Sequence, residues 1–373
     1  MRFARRLGAL LRHAPVAEGR GTAFAPLRVL PPVVGRCPGF NFALARASST
    51  AVPAALVKQL RDRTGASMGK CREALGAEEG DIERAVEWLK KRGVRSMEKR
   101  ANDAAEALLA IDVAADGSAG ALIELRAETD FVTRNDIFQQ FCVYVANLAA
   151  KHRPSGGAPE LLEKEIGDGA GRPKQIDPAT GLGPALLELG SVLGERLVLG
   201  DAKCLVAPEA GVIGGYVHPK MADGLANTGR MAALVALRPL PASAPCDADR
   251  LRAIVAQLAR HVVAAQPRFL SVASISADVV EKEREVFWAA HLEQLGPRKS
   301  GTIDENVKSK VLAGKMQKFY SENVLMCQEL IAAPPAGSGE SAKPAPVAEW
   351  LEQEARAMGL EQIAVEDFVF VTL

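Results

Sequence analysis

The spacing of apolar positions changes several times along the chain, and each change marks a different predicted element. Between residues 53 and 92 apolar side chains recur every three or four positions, which predicts three short helices. Turns at Thr64-Gly65 and Glu79-Gly80 separate these helices, and Gly93 is predicted to stop the third. Residues 51–92 are therefore predicted to form a compact three-helix bundle.

After the bundle, the apolar period shortens to that of β-strands. Apolar runs at 107–113 and 121–125 flank Asp116-Gly117, which predicts a β-hairpin. An amphipathic helix is predicted at about 135–151. The next thirty residues are rich in Gly and Pro, which indicates a loop or a weakly ordered insertion.

The order of strands followed by a helix then recurs. Strand-like runs are followed by a predicted helix at 249–265, and two longer amphipathic helices at 276–294 and 302–321 suggest a helical hairpin. A final helix at 347–358 and a strand at 367–373 complete the prediction. The strand-like runs are 197–199, 204–207, 212–217 and 232–237.

The predicted fold class is α+β. It combines an N-terminal three-helix bundle, similar to ubiquitin-associated (UBA) domains in size and helix order, with two related α+β core halves, a helical hairpin and a small C-terminal module. The predicted boundaries are 51–92 for the UBA-like bundle, 93–104 for a linker, 105–152 for the first core half, 153–184 for the Gly/Pro-rich loop, 185–332 for the second core half with the hairpin, 333–346 for a second linker and 347–373 for the C-terminal module.

Residues 1–50 differ in charge from the rest of the chain. They hold eight arginines, no lysine and one acid, Glu18. Near the start, apolar side chains collect on one side of a helical wheel and arginines on the other. This pattern is typical of a transit peptide and predicts import into the mitochondrial matrix, in preference to a plastid. A disordered basic tail is the alternative.

Charge and residue spacing narrow the class of protein further. The first fifty residues hold 8 of the 46 basic and 1 of the 45 acidic residues, so 38 basic and 44 acidic residues remain. A mildly acidic protein does not suit general nucleic-acid binding, so we expect a protein partner. The cysteines and histidines lack metal-site spacing, and no cofactor is expected. No apolar stretch approaches the roughly 18 residues that cross a bilayer, so no membrane association is expected.

The sequence has no P-loop and no HExxH motif, two signatures typical of enzymes. We therefore expect a protein that is not an enzyme. Six basic residues between Lys90 and Arg100 suggest either an RNA-binding patch or a solvated connection, and the second is favoured because no aromatic is interleaved for base stacking.

One short run places an acid and a large aromatic where a strand is predicted to give way to a helix. It reads Thr129-Asp130-Phe131-Val132. Taken alone, Phe131 suits a core position and Asp130 a turn or helix cap.

Taken with its surroundings, this run resembles the elongation factor Ts family, which exchanges guanine nucleotide on elongation factor Tu. The resemblance extends in order over nearly all of 52–373. The segments that carry it are 58–68, Cys71, Ala74-Leu75, 80–83, Ala85, Trp88-Leu89, 128–132, 214–218, 261–265, 280–283, 314–319 and 367–369.

The resemblance implies a mechanism and a set of contact residues. Asp130 and Phe131 would approach the partner's nucleotide site near magnesium and phosphate, with the ring wedged between partner helices. The residues implied to bind the partner are Thr129, Asp130, Phe131 and Val132 in this run, Arg61, Met68 and Arg72 in the bundle, and Leu193, Gly194, His218, Leu330 and Ile331 in the second half.

Two alternatives from other classes stay open at the level of sequence. The N-terminal bundle alone would suit a ubiquitin-binding adaptor, although most of the chain lies beyond it. An enzyme that uses Cys71 or Cys142 as a nucleophile is the other, and both cysteines lie among apolar neighbours on predicted helices.

Overall fold

The computed structural model describes residues 52–174, 176–218, 224–244, 246–295, 304–331 and 345–373. The predicted transit peptide and most of the linker predicted at 333–346 lie outside these residues. The described chain begins with three helices, α1 (Ala54–Thr64), α2 (Met68–Ala77) and α3 (Ile82–Glu98). Their shared core consists of Val57, Leu60, Cys71, Ala74, Leu75 and Ala85.

Helix α3 continues through Gly93 to Glu98, so the helix stop predicted at Gly93 is wrong. A Cβ atom at this position would lie 1.9 Å from the Ser191 hydroxyl oxygen, so glycine lets α3 approach the neighbouring chain closely. One turn further on, Met97 is buried. Gly93 therefore serves helix packing rather than helix termination.

The predicted hairpin is confirmed as β1 (Glu106–Val113) and β2 (Ala119–Ala127), which pair antiparallel. Gly117 has φ +74°, which the turn between them requires. A one-turn helix, α4 (Asp130–Thr133), leads into α5 (Asp136–His152).

The Gly/Pro-rich segment holds one short helix, α6 (Ala158–Leu162), and buries Ile166 and Ile176 in the core. Two elements follow, α7 (Leu182–Leu193) and β3 (Val198–Val206). Strand β3 pairs with β2 in the first sheet, although residues 185–332 are predicted to belong to the second half.

The remaining strands complete two antiparallel sheets. They are β4 (Val212–His218), β5 (Thr228–Gly229), β6 (Met231–Leu240) and β7 (Gln362–Thr372), and the helices between β6 and β7 are α8 (Ala248–Ala265), α9 (Ala277–Leu295), α10 (Glu305–Asn323) and α11 (Val347–Ala357). The sheet orders are β3-β2-β1-β5 and β4-β6-β7. Helices α9 and α10 contact each other through Phe287 and Phe319.

The two sheets pack against each other and helices cover their outer faces. Alternate residues of β1 show this arrangement: Leu109 and Ile111 face the second sheet, whereas Leu108 and Ala110 face α5 and α7. Helices α8 and α11 cover the second sheet. The apolar side chains packed between the first sheet and α5 and α7 form the first core, and those between the second sheet and α8 and α11 form the second core. The described residues therefore form an α+β fold with the N-terminal helices attached beside α7.

Candidate functional site

The segment between β2 and α5 is a tight turn with its own internal bonds. The Thr133 hydroxyl donates to the Asp130 carbonyl at 3.0 Å, and the Asn135 side chain accepts from the Ile137 N–H at 2.9 Å to begin α5. Val132 is buried in the first core and anchors the turn from below. The backbone here is therefore held on both sides of residue 131.

Phe131 is 81% exposed, although it directly precedes the buried Val132. The interpretation of Phe131 as a core ring is therefore wrong. Because most of the ring is still in contact with water, its burial in a partner can contribute to binding. The Asp130 carboxylate lies 3.2 Å from the Arg134 guanidinium, on the same small turn.

Two glutamates join this turn to the connection between α7 and β3. The Glu195 carboxylate accepts from the Thr129 N–H at 3.0 Å and from its hydroxyl at 2.5 Å. In the opposite direction, Glu128 accepts from the Arg196 N–H at 2.7 Å. We call these four residues the carboxylate clasp.

Glu128 also bonds to residues that directly follow the N-terminal helices. Its carboxylate accepts from the Arg100 guanidinium at 2.8 Å and from the Asn102 amide at 2.6 Å. These bonds lower the pKa of Glu128 to about 2, and the bond from Arg100 has the largest effect. Partial burial of the carboxylate acts in the opposite direction. The carboxylate is therefore fully ionised at neutral pH.

Leu193 and Gly194 lie beside the clasp at the end of α7. Gly194 has φ +82° and donates its N–H to the Gly190 carbonyl at 2.7 Å, which ends the helix. Thr129, Asp130, Phe131, Leu193 and Gly194 are thus brought together, and the side chain of Val132 points into the core instead.

His218 and Ile331 line a second region, a groove of about 640 Å³ on the second half. The His218 ring stacks on Tyr216 with centroids 6.3 Å apart, and Ile331 is 52% exposed. Leu330 packs partly buried against the second core, and its N–H donates to the Ala345 carbonyl at 2.9 Å.

Arg61, Met68 and Arg72 form a third region on the N-terminal bundle. All three are exposed, and Met68 and Arg72 are one turn apart on the same face of α2. On the same helix, Cys71 and Leu75 are buried in the core of the bundle. The structure therefore distributes the implied contact residues over three separate regions.

The two cysteines considered as nucleophiles lie in apolar surroundings. Burial raises the pKa of the Cys71 thiol and raises that of Cys142 well above its ordinary value. A thiol with a raised pKa is a poor nucleophile at neutral pH, which counts against a cysteine enzyme.

Among the residues that the structure describes, no group of three or more His, Cys, Asp or Glu side chains is arranged to hold a metal ion. Among the same residues, no helix combines the length and apolar content needed to cross a membrane.

The comparison with protein families matches residues 128–337 to the model described as elongation factor TS. This match begins at Glu128 in the clasp and includes the Phe131 turn, α7, β3 and the groove. The residues of the first two of the three regions therefore belong to the matched segment.

Individual relatives extend the similarity. The chain is 34% identical over 276 residues to the elongation factor Ts of Ehrlichia ruminantium (strain Gardel), covering 74% of this chain and 86% of the relative. Identity is 36% over 278 residues, with the same coverage, for Anaplasma marginale (strain Florida). It is 35% over 284 residues for Brucella ovis, covering 76% and 83%. The chain belongs to the elongation factor Ts family.

Proposed function

We propose that this protein is a guanine nucleotide exchange factor for elongation factor Tu in the mitochondrial matrix, where it promotes GDP release during translation elongation. The observation that carries the proposal is the exposed Phe131 ring on a turn whose backbone is held by hydrogen bonds. Membership of the elongation factor Ts family supports the same partner.

Phe131 acts by insertion between helices of the partner, close to its magnesium and phosphate site. Burying one aromatic side chain contributes about 1.5 to 3 kcal/mol. Because each 1.4 kcal/mol changes affinity tenfold, this insertion weakens nucleotide binding by about 10- to 150-fold. Asp130 adds a carboxylate at the same point, with Arg134 as its neighbour.

The other two regions and Leu193-Gly194 contribute affinity for the partner and do not themselves displace its nucleotide. The UBA-like bundle contacts the partner's G domain through Arg61, Met68 and Arg72. Leu193-Gly194 adds contacts beside the Phe131 turn. The groove residues His218, Leu330 and Ile331 make the remaining contacts from the second half.

This function needs no catalytic residue, cofactor or metal of the protein's own. Coupling between two ligands of the same partner is reciprocal, so a factor that weakens GDP must bind the GDP form less tightly than the empty form. The factor therefore leaves when GTP returns. No nucleic acid or membrane takes part.

Co-purification with organellar elongation factor Tu tests the proposed partner. A stable complex is expected in EDTA without nucleotide, and added GDP with Mg²⁺ should dissociate it. A ubiquitin column provides the comparison for the adaptor alternative. Retention on ubiquitin without any complex with elongation factor Tu would reject the proposal.

Mitochondrial import is tested separately. Residues 1–50 fused to a fluorescent reporter should direct it to mitochondria, because their Arg-rich, acid-poor composition is typical of transit peptides. A matched reporter with Arg2, Arg5, Arg6 and Arg12 changed to Glu should stay in the cytosol. A cytosolic or plastid signal from the unchanged fusion would contradict the localisation.

A further inference from the structure

The Phe131 ring has little of its own surface packed against this protein, so its direction depends on the backbone beneath it. The turn α4 is only four residues long, and the Thr129 side chain makes no cap bond to it. A helix of one turn is not stable by itself. Other contacts must therefore hold the start of this turn.

Those contacts come from the carboxylate clasp. Glu195 accepts both polar hydrogens of Thr129, one from the backbone and one from the hydroxyl, with one carboxylate oxygen for each. Glu128 and the Arg196 N–H make the reciprocal bond at 2.7 Å. Hydrogen bonds to an ionised carboxylate are stronger than those between neutral groups, so the clasp holds residue 129 firmly.

The clasp extends the pairing of β2 with β3 through side-chain hydrogen bonds instead of backbone ones. Backbone pairing of these strands reaches Arg126 and Val198, and beyond this point side-chain carboxylates bond the backbone N–H groups of Thr129 and Arg196. The Glu195 backbone is itself fixed, since its N–H donates to the Gly190 carbonyl at 3.1 Å. A side chain added at Gly190 would lie 2.6 Å from the Glu195 carbonyl oxygen.

We infer that Glu195 is a positioning residue for nucleotide exchange, which holds Thr129 so that Asp130 and Phe131 project towards the partner. It acts through the turn and needs no contact with the partner. This inference rests on the proposed function, because it assigns a role in delivering Phe131.

The test is a double-mutant cycle on mant-GDP release from elongation factor Tu, using the full mature chain. Glu195→Gln keeps the side-chain shape but leaves one acceptor oxygen for two donors. It should slow stimulated release about tenfold, the effect of losing a hydrogen bond to a charged group. Glu163→Gln, at an exposed acid outside the clasp, is the matched control and should release at the wild-type rate.

The decisive comparison is made in a background that carries both Asp130→Ala and Phe131→Ala. If Glu195 acts through these two residues, adding Glu195→Gln to this background should slow release by less than about twofold further. A full further tenfold loss would overturn the inference, as would wild-type release by Glu195→Gln alone. Wild-type release by Phe131→Ala alone would instead reject the proposed function.

A second pair of variants keeps the inference testable if Glu195→Gln fails to fold. Thr129→Val removes the hydroxyl donor at nearly constant shape, whereas Thr129→Ser keeps it. Release should be slowed by the valine variant and retained by the serine variant. Equal release rates for the two would overturn the inference.

Discussion

Individual buried polar side chains of this protein form hydrogen bonds with backbone groups that the helices and strands leave unpaired. His261 is fully buried, and its Nδ1 accepts from the Ile331 N–H at 3.1 Å. Its Nε2 lies 3.1 Å from the Gln328 side-chain oxygen, which requires the proton on Nε2. Burial lowers the pKa of His261, in keeping with a neutral ring. This residue connects the second core to the groove at Ile331.

This arrangement predicts a pH dependence of stability. Because the folded-state pKa of His261 lies below its ordinary value, its contribution is complete above pH 6.5 and is lost as pH falls through the folded pKa. The melting temperature should fall between pH 7.5 and pH 5.5 by a larger amount in the wild type than in His261→Gln. Parallel pH profiles for the two proteins would contradict the assigned bonds.

Glu128 is a charged counterpart, a carboxylate whose pKa is also lowered, to about 2, by Arg100 and its other donors. Its contribution to stability should persist above about pH 4.5 and be lost as pH falls towards about 2. Glu128→Gln should cost about 1 to 3 kcal/mol at pH 7 by urea unfolding. Glu163→Gln is the control, and equal stability of the two variants would contradict the role given to the clasp.

At the scale of elements, the contact between α3 and α7 fixes the N-terminal helices to the core. Gly93 allows this approach because both the Ser191 hydroxyl and its Cβ lie where a side chain would be. Lys90 adds an ion pair with Glu188 at 3.4 Å. The two helices therefore meet over more than one turn.

Gly93→Ala should accordingly destabilise the protein by about 1 to 3 kcal/mol, the cost of overpacking a tight contact. Gly76→Ala is a matched control on α2, where an added Cβ meets nothing within 4 Å. That change should be neutral or stabilising by up to about 1 kcal/mol, since alanine favours helices. Urea unfolding of both variants measures the difference, and a stabilised Gly93→Ala would contradict the packing.

Local patterns predicted many of the elements because their cues lie within a few residues. The β1-β2 hairpin follows from Asp116-Gly117 between two apolar runs, and α5 and α8 follow from their apolar faces. Helix α7 was missed, although Leu182, Leu186 and Leu189 have helical spacing between two glycines. Gly93 was mistaken for a helix stop, because the glycine is needed for close contact with Ser191, which lies about a hundred positions away in the sequence.

At the candidate site, too, the residues with local sequence cues were predicted and the one that depends on a distant contact was missed. The resemblance to elongation factor Ts identified Asp130 and Phe131 from their sequence neighbours, but the exposure of Phe131 needed the structure. Glu195 was missed because its bonds to Thr129 span 66 positions. No local pattern distinguishes such a glutamate from one on a solvated surface.

At the scale of the whole molecule, the N-terminal helices and the Phe131 turn are physically connected. The path runs from Arg100, which follows α3, through Glu128 to Thr129 and Glu195. The bundle, which contacts the partner, and the turn that carries the Phe131 ring are therefore joined by a continuous series of bonded residues.

Deletion of residues 51–100 tests this connection. Partner affinity should fall, and the melting temperature of the remainder should also fall, because α7 loses the cover of α3 and Glu128 loses Arg100. Calorimetry of binding and thermal unfolding of the same protein measure both effects. An unchanged melting temperature would mean that the bundle is an independent module.

The most direct measurement of the central claim is mant-GDP release from elongation factor Tu by Phe131→Ala, with thermal unfolding of the same purified protein. Release should slow by about 10- to 150-fold, following the burial estimate. The melting temperature should barely change, because the ring is exposed. Val206→Ala, an exposed apolar truncation at the far end of β3, is the control and should match the wild type in both assays. Wild-type release by Phe131→Ala, or a stability loss of about 3 to 5 kcal/mol as for a core ring, would contradict the account.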